Sequence, residues 1–217
     1  MPIKPMSPTR SKRHSFITGP PNRGDGDAYF GSSQSFPVNK AVFGLSVFIA
    51  TEIMFFAGLI SAFIILKAGA SAWPPAGQPR LPIEVTSVNT LVLLISGYTI
   101  YRAAKAVRAD RTYRLNAWLL ATGILGALFL GIQGHEWMRL VGYGLTLSSS
   151  TYGATFYTLI GAHGLHVFIA VLSLLFVLGR SLRRQYSRDT HTEVRLCQVY
   201  WFFVVGMWPV LYVLVYL

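Results

Sequence analysis

Five apolar runs, each long enough to cross a bilayer, occupy the chain at about residues 42–66, 85–104, 117–140, 152–178 and 195–217. A hydrocarbon core takes about 20 residues of helix to span. Lipid offers no partner for backbone N–H and C=O groups, so such runs must satisfy them internally, as helices. The expected fold class is therefore all-α: an integral membrane bundle of five transmembrane helices. Composition agrees, because 12% charged residues is about half the share of a soluble domain. The lone cysteine, Cys197, excludes an internal disulfide and any cysteine-built metal site within the chain.

The remaining residues set orientation. Residues 1–37 form a polar, basic tail rich in Pro, Ser and Gly, expected to be disordered or bound to a partner. The tail has no apolar core of useful length after its charged start, so it does not read as a signal peptide. Lys and Arg then alternate by face. Sixteen lie on one side, six of them up to Lys40, five between Arg102 and Arg114 and five between Arg180 and Arg195. Only Lys67, Arg80 and Arg139 lie on the other. The positive-inside rule puts the N-terminus inside and the C-terminus outside. It also accounts for the net charge of +11 without nucleic acid as a partner.

Ionisable side chains within or bordering the runs are few: Glu52, His135, Glu136, His163 and His166. At 1.5 Å per residue, Glu52 falls near mid-membrane. His163 and His166 are expected in the outer half, at the depth of Glu136, and a Glu136–His163 contact follows as an expectation. Three residues apart on a helix, the two histidines should face one neighbour, and Gly161 and Gly164 should let another helix approach. Two deep histidines are too few for a haem pair or a zinc site of three protein ligands. They read instead as internal hydrogen-bonding or lipid-contacting groups. A carboxyl at the depth of Glu52 must be neutral, paired or wet, and such groups mark proton or ion routes. No nucleophile–base pair, phosphate loop or acidic metal cluster accompanies them, so no catalytic or metal-binding residue is assigned.

Other features concern packing. Gly44, Val47, Thr51, Met54, Gly58 and Ser61 make a small-residue stripe on the first run, and Gly123, Ala127 and Gly131 a possible seam on the third. The second run carries Thr86, Ser87, Asn89, Thr90, Ser96 and Thr99, and should face protein over much of its surface. Lys67 can snorkel, and Pro209 should kink the last helix.

Several of these residues also carry a resemblance. In order they are Glu52-Ile-Met-Phe55-Phe56, Trp73-Pro74-Pro75 before Leu81-Pro82, Asn89-Thr90 with Leu93-Leu94, and Gln133-Gly-His-Glu136. Thr155-Phe156-Tyr157, Gly161-Ala-His163-Gly164-Leu-His166-Val167 and Tyr200-Trp201 follow. Over about residues 40–217 the chain resembles cytochrome c oxidase subunit III, in the short five-helix form found in bacteria. Phe202 and Val205 stand where that family has a His and an Asp.

The resemblance implies a non-catalytic subunit of a haem–copper terminal oxidase, the respiratory complex that reduces oxygen to water and pumps protons. Haem and copper would lie in partner subunits, with no cofactor in this chain. The subunit would flank catalytic subunit I, beside subunit II and a subunit IV, within a larger respiratory supercomplex in some cases. It would bind phospholipid and support proton uptake, in the bacterial inner membrane. Glu52 is then the family's helix carboxyl, and Glu136, His163 and His166 belong to its internal polar set. The readings left open are an accessory subunit of a nitric oxide reductase and a stand-alone proton-coupled transporter.

Overall fold

The computed structural model describes residues 40–75, 77–79, 81–183, 186 and 191–217. The polar tail expected over residues 1–37 lies outside them. Five helices follow in order: α1 (Lys40–Ala68), α2 (Ile83–Arg108), α3 (Thr112–Gly142), α4 (Thr151–Leu182) and α5 (Thr192–Tyr216). All five are long and apolar enough to cross a membrane. Most overrun the expected spans at both ends, α4 reaching Leu182 rather than 178. Polar residues at the membrane surface extend a helix at no cost in apolar exposure, and hydropathy alone does not count them.

Helices α2 and α3 form the most extensive pair, joined by a turn in which Asp110 takes φ 54°. Helix α4 packs on α3 and α5, and α5 returns to α2, which closes a four-helix ring. Among the helices, α1 touches only α4 and α5, and it stands outside that ring. Residues 38–217 make one compact unit.

Polar residues of α2 hold the ring together. Trp201 and Trp208 of α5, both fully buried, donate Nε1–H to Ser96 Oγ (3.0 Å) and Thr90 Oγ1 (2.8 Å). Thr99 and Thr122 share a hydrogen bond of 2.8 Å between α2 and α3, and Asn89 donates to the Phe129 carbonyl at 3.1 Å. In an apolar interior each such bond contributes about 1 kcal/mol, and each would cost more if one partner were removed. The polar character of the second run is thus spent on protein neighbours, as its composition implies.

The glycine seam on α3 differs from the expected one. Gly123 and Gly126 are buried, whereas Ala127 and Gly131 face outward. A Cβ on Gly126 would lie 2.7 Å from the Trp201 ring, so Gly126 makes room for an indole rather than a backbone. Three-residue spacing wins because the Trp201 ring, not a neighbouring backbone, selects the face. The stripe Gly44–Ser61 on α1 is likewise exposed, and no atom lies within 4 Å of a Cβ built on Gly44 or Gly58. Helix α1 instead turns Glu52, Phe56, Leu59 and Phe63 toward the bundle.

Chain ends and connections follow simple chemistry. Ser150 caps α4 by accepting from the Gly153 N–H at 3.1 Å. Gly153 admits no side chain, since a Cβ there would meet the Thr146 carbonyl at 2.3 Å. Lys67 donates to the Leu214 carbonyl at 3.4 Å, one of the last-turn carbonyls that no helical N–H reaches. Helix α5 continues through Pro209 to Tyr216. Val205 is buried against the position of Gly97, where an added Cβ would lie 3.3 Å from its methyl.

Candidate functional site

Glu52 and His166 meet. Glu52 lies near the middle of α1, His166 near the middle of α4, and Glu52 Oε2 sits 2.8 Å from His166 Nε2. The other imidazole nitrogen, Nδ1, is 2.7 Å from the Ala162 carbonyl oxygen. A carbonyl only accepts, so Nδ1 carries a hydrogen and donates it. That assignment fixes the chemistry at Nε2. Either Nε2 is bare and accepts from a protonated Glu52, or Nε2 carries a hydrogen and donates to a carboxylate. In both cases one proton lies between the two side chains, and the pair is neutral as a whole. A neutral pair is what a low-dielectric interior tolerates.

Its surroundings leave the pair partly open. Side-chain exposure is 18% for Glu52 and 12% for His166. Phe56 packs edge-on to the His166 ring at 5.1 Å, and Phe55 lies 6.3 Å away. A cavity of 690 Å³ between α1, α4 and α5 is lined by Glu52, His166, Leu45, Phe48, Cys197 and Tyr200, and reaches Glu193 near the start of α5. It therefore runs from mid-helix depth toward the face bearing the α1 and α5 N-termini.

The remaining candidates separate from this pair. His163 is buried and stacks on Trp208 at 5.0 Å, with Phe129 at 6.4 Å. Neither of its ring nitrogens has a partner among the described residues. Glu136 is buried and bonds Arg139 at 3.1 Å, one turn along its own helix. The expected Glu136–His163 contact is therefore absent, while the two histidines do share one neighbour, the Phe56 ring of α1, which lies 6.4 Å from His163 and 5.1 Å from His166. Three residues turn a helix by 300°, and the residual 60° sends His163 into the ring and His166 toward α1. His135 is exposed. Gly161 and Gly164 face Trp137, whose ring comes within 3.9 Å and 3.2 Å of their built Cβ positions, so they too make room for an indole.

Depth along a helix does not say that α1 docks against α4, so the sequence leaves the partner of His166 open, and its expected place in the outer half is corrected. Counted over Thr151–Leu182 it falls at the midpoint, the depth of Glu52 on α1. Among the described residues no three His, Cys, Asp or Glu side chains come together as a metal site.

Comparison with known proteins decides the family. The model for cytochrome c oxidase subunit III matches residues 26–217. The chain belongs to the cytochrome c oxidase subunit III family. It is 37% identical over 177 residues to cytochrome c oxidase subunit 3 of Thermostichus vulcanus, which covers 81% of this chain and 86% of that one. The corresponding Synechocystis protein is 36% identical over 177 residues, covering 81% of this chain and 75% of its own. The mouse subunit 3 is 34% identical over 180 residues, with 80% and 68% covered. In this family member the Glu52–His166 pair joins α1 to α4, within segments 51–57 and 161–167.

Proposed function

We propose that this chain serves as the third, non-redox subunit of a haem–copper oxidase, and that its own contribution is a proton-holding station at Glu52–His166 beside the catalytic subunit. The observation that carries the reading is the 2.8 Å Glu52–His166 contact in the wall of a 690 Å³ cavity. A proton arriving by water in that cavity can join the carboxyl only as another leaves it, and the shared hydrogen shifts between Oε2 and Nε2 so that the exchange returns the pair to neutrality. Apart from Ser173, Glu193 and Tyr200 the remaining walls are apolar and suit phospholipid chains, which would keep bulk water out and let water enter along the Glu52 side. With the N-terminus inside, the cavity opens to the proton-uptake side of the membrane, in the inner membrane of a bacterium. Catalytic subunit I and subunit II would hold the haem and copper.

The test is the assembled oxidase carrying Glu52→Gln, which keeps a donor toward His166 but removes the exchangeable acid proton. Haem content by reduced-minus-oxidised spectrum should be unchanged. Proton uptake should slow, and activity should decay sooner under sustained turnover. Wild-type rates and wild-type persistence in this variant would reject the station. Failure of the chain to co-purify with haem-containing subunits in mild detergent would reject the oxidase role itself.

A further inference from the structure

We propose that the basic recess at the α2–α3 turn is a binding site for the phosphate headgroup of an anionic phospholipid. The recess encloses 480 Å³ and is lined by Tyr98, Arg102, Lys105, Arg111, Arg114 and Trp118, among others. Arg102 and Lys105 lie three residues apart near the end of α2, Arg111 and Arg114 three apart at the start of α3. That spacing puts each pair on one helix face, and the hairpin turns both faces onto the same space. Four cations therefore surround one recess.

No carboxylate among the described residues pairs with them. Among the described residues the ion pairs are Arg139–Glu136, His166–Glu52 and Arg180–Glu193, none of which involves these four. Asp110, in the same turn, is exposed and does not line the recess. The first turn of α3 holds no acidic residue and no side-chain cap, so the positive end of its dipole adds to the field. Convergent like charges repel, and an anion between them relieves that repulsion.

The shape of the recess says which anion. Its floor is aromatic: the Arg102 guanidinium stacks on Trp118 at 4.9 Å and donates to the Tyr98 hydroxyl at 2.5 Å. Trp and Tyr with Arg at a helix end mark the headgroup level of a bilayer. Away from the turn, the same hairpin exposes Leu91, Leu94, Ile95, Leu120 and Ile124. A phosphodiester seated among the four cations would thus have its acyl chains continue along an apolar surface. A free phosphate gains nothing from that surface. Basic pockets between transmembrane helices at the membrane surface take anionic headgroups on this principle.

The experiment uses the assembled complex in phosphatidylcholine nanodiscs doped with a photoactivatable phosphatidylglycerol, followed by digestion and mass mapping. Crosslinks are expected within residues 98–118. Each basic residue at such a surface is worth about a fivefold factor, so the double variant Arg111→Gln/Arg114→Gln should lower labelling there roughly 25-fold. The Arg111→Lys/Arg114→Lys variant should retain most of it. Arg108→Gln, at the end of α2 beside the same turn but outside the recess, should change it less than about twofold. Excess unlabelled phosphatidylglycerol should compete, and millimolar inorganic phosphate should not. Undiminished labelling in the Gln variant, an equal loss in Arg108→Gln, or equal labelling by a phosphatidylcholine probe would overturn the site. Competition by phosphate alone would reassign it to a soluble anion, and no labelling in the complex would mean a protein covers the recess. Both of these also reject the lipid assignment. If the Gln variant fails to assemble, the competition and the Lys variant still decide.

Discussion

Removing the Glu52 carboxyl separates its structural role from its proton. In Glu52→Ala, His166 Nε2 loses its partner at 2.8 Å while Nδ1 stays bound to the Ala162 carbonyl. The ring cannot turn to find water without breaking the second bond, and its side chain is only 12% exposed. Losing the bond and stranding the nitrogen should cost about 2 kcal/mol. The effect falls on α1, which among the helices packs on α4 and α5 alone. In Glu52→Gln the amide N–H donates to a bare Nε2, so most of the bond survives and the cost should stay below about 1 kcal/mol. For a chain of this length about 2 kcal/mol corresponds to roughly 4–8 °C in midpoint. Monodispersity after graded heating of the purified complex, read by size exclusion, measures it. Ala and Gln variants with equal midpoints, or an Ala variant as stable as wild type, would refute the pairing.

Three further outcomes follow from the packing and electrostatics. Tyr186, outside the spans, is buried and donates to Glu193, and burial first and that bond second raise its pKa above the ordinary 10.0. A raised folded value means stability is complete below about pH 10 and falls as pH rises beyond it. Tyr186→Phe should flatten that alkaline loss, and unchanged slopes of midpoint against pH between 9 and 11 (about one unit either side) would contradict it. Gly126→Ala should destabilise by about 1–3 kcal/mol, because the new methyl meets the Trp201 ring. Gly131→Ala, with no atom within 4 Å, should be neutral, and equal thermal midpoints for the two would be evidence against the Gly126–Trp201 contact. His163→Phe keeps the stack on Trp208 and removes two unpartnered nitrogens, so its midpoint should match or exceed wild type. A marked loss would show that His163 has a partner in the assembled complex.

Much of the fold was legible in hydropathy. Five spans in the right order, and the protein-facing character of the second, follow from residues such as Asn89 and Thr90 that lipid cannot satisfy. The packing seams were less legible. Gly123, Gly126, Ala127 and Gly131 offer more than one helical spacing, and only the Trp201 ring on a distant helix selects among them. The same applies to Gly164 and Trp137.

The site divides along the same line. By its sequence alone the chain declares a carboxyl and two histidines at membrane depth, because composition fixes which polar groups hydrocarbon must accommodate. Partner choice is a three-dimensional fact. It depends on the 60° between His163 and His166, and on α1 docking at the α4–α5 seam rather than entering the ring. A hydrogen bond needs its two atoms within about 3 Å. Tertiary structure therefore decided that Glu52 holds His166, that Glu136 turns to Arg139, and that four cations converge at the α2–α3 turn.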